Sequence, residues 1–100
     1  MKIVINAAYG GFGTTSDMDT YLQNRGYTIE QINELNDWGT KFTTPLRTDE
    51  TLIECVEFFK NEGRYGMEDF KILEIPDDTD WRILEHDGWE SVVDRRYFWY

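Results

Sequence analysis

The chain opens on an uninterrupted apolar run. Ile3-Val4-Ile5, followed by Asn6-Ala7-Ala8, is β-branched and uncharged after Lys2, which is the pattern of a strand buried on both faces in the middle of a sheet. Three glycines in four positions, Gly10-Gly11-Phe12-Gly13, break it. Thr14-Thr15-Ser16 then offers N-caps, and Asp19 stands three residues after Ser16 as in a capping box. Met18, Tyr21 and Leu22 recur at i, i+3 and i+4, and Gly26 stops this first predicted helix. Thr28 with Gln31 forms a second capping box, and Ile29, Ile32 and Leu35 give a short apolar stripe ending near Asn36.

A polar loop follows from Trp38 to Leu46, with Trp38 and Phe42 expected to anchor it. Thr48 caps the clearest predicted helix, residues 49–62. Asp49 and Glu50 lie in its first turn and Lys60 in its last, each where the helix dipole favours its charge. Leu52, Cys55, Val56 and Phe59 form its apolar stripe, Glu54, Glu57 and Glu62 lie outside it, and Gly63 ends it. The remainder alternates as strands. Residues 70–75 form one, closed by Pro76. Residues 81–86 and 89–93 flank Asp87-Gly88, a pair suited to a type I′ hairpin turn. The tail through Tyr100 is expected to extend the second hairpin strand. The order β-α-α-α-β-β-β predicts an α/β fold: a single-domain, two-layer sandwich over residues 1–100, with helices on one face of a mixed sheet and the first strand central.

Composition narrows the class. With 100 residues, 40% of them hydrophobic and 16% aromatic, the chain can build one core. No apolar run approaches the ~20 residues of a membrane span, and the start reads as a strand rather than a secretion signal. One cysteine and one histidine exclude an internal disulfide framework and a Cys/His zinc site. A soluble, cytoplasmic protein without a cofactor is expected.

The charge is uneven. Residues 1–48 carry a net −1 and residues 49–94 a net −11, within a total of −10. Small domains carry a net charge of roughly 2–8 in magnitude, so this excess repels nucleic-acid phosphates and attracts cationic partners. The carboxylates of Glu74, Asp77, Asp78, Asp80, Glu85, Asp87, Glu90 and Asp94 fall on or beside the predicted strands. Residues two apart on a strand are separated by roughly 6.6–6.8 Å, comparable with successive phosphates. The hairpin could therefore present carboxylates to phosphate-binding sites of a partner, or simply be a solvated outer face. Arg95-Arg96 before Tyr97-Phe98-Trp99-Tyr100 adds candidate interface anchors, Trp99 and Tyr100 above all, or aromatics that fold back on the sheet.

Other chemistry is thinner. Gly10, Gly11, Gly13, Thr14, Thr15 and Ser16 lie between strand and helix, where backbone N–H groups could cradle a phosphate or nucleotide. The third glycine of a dinucleotide fingerprint and the lysine of a P-loop are missing, so a tight strand-to-helix turn explains the same residues. Cys55 sits on a core stripe, and His86 next to the hairpin turn has no nucleophile at a recognisable spacing. Asp77, Asp78 and Asp80 are cation-ligand types without the glycine and distal glutamate of a calcium loop.

Tyr9-Gly10-Gly11-Phe12-Gly13, Ile75-Pro76-Asp77-Asp78, Trp81-Arg82-Ile83 and Asp87-Gly88 together resemble a group of small uncharacterised bacteriophage proteins. Those proteins usually run from Gly-Gly-Phe-Gly into Leu-Ser, where this chain inserts Thr14-Thr15-Ser16. The resemblance spans both ends of the chain but not residues 27–46. It implies a phage or prophage origin and no particular activity. By analogy with other short acidic phage proteins, the expected function is a non-enzymatic counter-defence inhibitor, of anti-CRISPR or anti-restriction type. Such an inhibitor would bind the basic groove of a host nuclease in the host cytoplasm. The oligomeric state, homodimer included, stays open.

Overall fold

A computed structural model describes residues 1–96. The elements are β1 (Lys2–Asn6), α1 (Ser16–Asn24), α2 (Ile29–Asn36), a 3-10 turn (Pro45–Thr48), α3 (Glu50–Asn61), β2 (Phe70–Glu74), β3 (Trp81–His86) and β4 (Trp89–Asp94). The α/β class and the order β-α-α-α-β-β-β are as expected. Thr15 caps α1 by accepting from the Met18 N–H, and Thr28 and Gln31 complete their capping box. Asp49, rather than Thr48, caps α3, because Thr48 is taken into the 3-10 turn that precedes it. Gly26 and Gly63 both take positive φ just beyond a helix end, a backbone that side chains resist.

The strands make two antiparallel pairs, β1 with β2 and β3 with β4, instead of one mixed sheet with β1 central. Alternation along β1 places these pairs in separate layers. Val4 faces the helices and packs with Leu22, Leu52, Val56, Phe59 and Phe70, while Ile3 and Ile5 face the other way onto Ile75, Ile83 and Val92. The β1–β2 pair therefore lies between the helical layer and the β3–β4 hairpin. Its strand is apolar on both faces for that reason, not through strands on both edges.

The hairpin has the predicted register, His86 opposite Trp89 with Asp87 and Gly88 between them. Both turn residues have positive φ, 51° and 89°, as a type I′ turn requires. Among the described residues no helix is long and apolar enough to cross a membrane.

Candidate functional site

The free edge of β1 is where the molecule departs most from its sequence pattern. Ala7 N–H bonds to Asp69 C=O and Ile75 N–H to Met1 C=O, so odd-numbered residues of β1 face β2 and even-numbered ones face away. On that outward edge Arg47 Nη1 donates to the Val4 carbonyl at 3.0 Å, and Asn6 N–H donates to Glu90 Oε1 at 2.8 Å. Arg47 and Glu90 bind each other through two bonds of 2.8 Å, and both side chains have no solvent exposure. This side-chain pair stands where a third strand would pair.

Glu90 is thus not a surface carboxylate open to a partner, and the hairpin explains why. Cross-strand partners share a face, so Glu90 lies with Val92 and Asp94 on the inner side, opposite Glu85, Ile83 and Trp81. Phe12 covers the ion pair from the other direction, its ring centre 3.6 Å from the Arg47 guanidinium carbon. Arg47 Nε is buried with no hydrogen-bond partner among the described residues.

The glycine segment closes over this centre. Asn6 Nδ2 donates to the Gly88 and Ala8 carbonyls, and Gly10 N–H donates to the Asp87 carbonyl. A Cβ on Gly88 would lie 2.1 Å from Gly11 N, so the backbones of the loop and the hairpin turn are in direct contact. Lys41, itself buried, donates from Nζ to the Phe12 carbonyl at 2.7 Å and lies under the Trp38 ring. Burial lowers the pKa of its ammonium, and the field of Glu90 partly offsets that. Thr14 N–H donates to Asn36 Oδ1, while Asp17 and Asp19 fill the first turn of α1. With Gly10 and Thr14 donating internally and carboxylates at the helix start, the segment Gly10–Ser16 follows the tight-turn alternative rather than an anion cradle.

Glu74, Asp77, Asp78, Asp80, Glu85 and Asp87 are exposed, but they do not form a ladder. The outer face of the hairpin carries Arg82, Leu84, His86, Trp89, Ser91 and Val93, without a carboxylate. Glu85 accepts from Gly88 N–H and Asp87 sits at the tip. Asp77 accepts from the terminal ammonium at 2.6 Å, which holds its carboxyl below the ordinary range. Asp94 is buried, and its bonds from Arg96 depress its pKa likewise. The expected spacing of carboxylates two residues apart on one strand face is therefore not realised. Trp99 and Tyr100 lie outside the described residues.

A more continuous acidic surface lies on the helices. Glu30, Glu34 and Asp37 line one shallow groove; Glu34, Asp49 and Glu50 line the next; Glu50, Glu54 and Glu57 line a third. The shared residues Glu34 and Glu50 join them into one belt. Only Arg25, 4.0 Å from Glu54, and Lys2, 3.2 Å from Glu57, bridge to it among the described residues. Its signal was present in the chain: Glu30, Glu34 and Asp37 repeat at i, i+4 and i+7, and Glu50, Glu54 and Glu57 do the same.

Cys55 is buried in the helical core, where burial pushes its thiol up to about 12. His86 is exposed beside Asp87 at 3.5 Å. Among the described residues no three His, Cys, Asp or Glu side chains converge to hold a metal ion. Comparison with known families, curated proteins and solved structures finds no match for this chain.

Proposed function

We propose that this is a non-enzymatic binding protein that docks on the cationic surface of a partner protein through the carboxylate belt of α2 and α3. The observation that carries this reading is the repeated i, i+4, i+7 acidic triplet on two helices, joined through connected grooves. Carboxylates placed in this way attract a groove built to hold phosphates and raise the encounter rate by roughly 10–1,000-fold. The net charge of −10 opposes direct contact with nucleic acid. The resemblance to phage proteins suggests the partner class, a host defence nuclease with a basic nucleic-acid channel. This reading moves the docking face from the hairpin to the helices.

Charge reversal tests it by face. Glu30→Lys, Glu34→Lys and Glu50→Lys together are expected to slow association with a captured nuclease by tenfold or more at low salt, and to release nuclease–DNA binding. Asp77→Lys, Asp78→Lys and Asp80→Lys together are expected to cost less than threefold. Equal association rates for the wild type and the helix variant would remove the proposal.

A further inference from the structure

The same ladder that leaves β1 closed leaves β2 open. Odd-numbered residues of β2 bond to β1, so Phe70, Ile72 and Glu74 turn their backbone groups to the opposite edge. Phe70 is already satisfied there, its N–H on the Met67 carbonyl and its C=O accepting from Lys60 Nζ. Pro76 has no N–H to offer at the other end. Between these stops the N–H and C=O groups of Ile72 and Glu74 have no hydrogen-bond partner among the described residues. Four backbone groups on a short edge, bounded on both sides, are a template for one further strand.

We infer that the occupant is β2 of a second copy, paired antiparallel about a two-fold axis at Leu73. This is the register that uses all four groups. Ile72 of each copy then exchanges both bonds with Glu74 of the other. A register centred on Ile72 calls on the occupied Phe70, and one centred on Glu74 calls on Pro76. The same register also places the charges. Glu74 of one copy falls diagonal to the other copy's Glu74 on one side and to its Phe70 on the other, on the helical face where Lys60 reaches the Phe70 carbonyl. One like-charge pair at the axis is thus flanked by two Lys60 ammonium groups. Two-fold symmetry makes this Glu74–Lys60 contact twice. Leu73, packed against the Ile3, Ile75 and Ile83 cluster, meets its own copy in the closely spaced non-hydrogen-bonded position. The product is a four-stranded sheet in the order β1-β2-β2-β1.

Sedimentation of the full chain at up to about 1 mM protein, the weak end of measurable affinity, should reveal a species of twice 11.9 kDa. Ile72 and Glu74 amide protons should exchange slowly in that species and rapidly on dilution. Glu74→Pro removes one outward N–H while leaving the β1–β2 ladder intact, and is expected to weaken dimerisation at least tenfold. Glu74→Lys and Lys60→Glu should each weaken it, and the double exchange should restore it. Circular dichroism melting confirms that each variant is folded. A monomer throughout the range overturns the inference. So does a dimer whose Ile72 and Glu74 amides exchange freely, or a monomer whose edge instead takes up a foreign extended peptide.

Discussion

Arg47 and Glu90 show what a single buried pair is asked to do here. Two charges removed from water recover their desolvation cost only when geometry and extra hydrogen bonds are good, and replacing both by apolar residues is often neutral. This pair also satisfies Val4 C=O and Asn6 N–H. Arg47→Met, which strands a buried carboxylate, is expected to destabilise by about 3–5 kcal/mol in urea unfolding. The double variant Arg47→Met with Glu90→Met should not return to wild-type stability. It orphans two buried backbone groups, at roughly 1–3 kcal/mol each. A double variant as stable as the wild type would show that the pair does not close the β1 edge.

At the level of elements, the hairpin turn and the glycine loop behave as one unit. Gly88 has a φ of 89° and no room for a Cβ against Gly11 N, two independent reasons to be glycine. Gly88→Ala is expected to cost more than about 2 kcal/mol, beyond the ~1 kcal/mol of the backbone conformation alone, because the Gly10-Gly11 backbone has to move. Asp87→Asn, at a φ of 51° that asparagine tolerates, should stay within about 0.5 kcal/mol. Equal melting temperatures for Gly88→Ala and the wild type would refute the close contact. The turn itself was legible in the sequence, since Asp-Gly between alternating strands is a local signal, as are the Thr28–Gln31 box and the Leu52–Phe59 stripe. The partner of the turn was not, because Gly10 and Gly88 meet across most of the chain. Arg47 and Glu90 were hidden for the same reason. Period-2 alternation places Glu90 on a face but cannot say which face is inward when Glu90, Val92 and Asp94 share one side and Trp89, Ser91 and Val93 the other. A run such as Ile3-Val4-Ile5 reports burial on two faces and is silent about edges, so a strand closed by side chains looks like a central one.

For the whole molecule, the acid balance sets two opposing pH effects. At neutral pH ten excess negative charges repel one another across a small surface, and that repulsion fades as the pH nears the isoelectric value of about 4.4. Asp77 and Asp94 act in the other direction. Their folded pKa values lie below the unfolded carboxylate value of about 3.9, so their stabilisation is complete above that value and is lost as pH falls through the folded ones. The melting temperature is therefore expected to rise or hold level from pH 8 to about 5 and to fall below pH 4. Added salt should raise it at pH 7, where exposed like charges dominate, and matter little near the isoelectric point. Asp94→Asn separates the terms: it should lower the melting temperature at pH 7, where the charge that strengthens the bonds from Arg96 is lost, and approach the wild type as the pH falls through the depressed folded pKa of the Asp94 carboxyl. A maximum at pH 8 that ignores salt would mean the carboxylates are neutralised pairwise across the surface. The belt on α2 and α3 would then have no long-range field with which to steer a cationic partner.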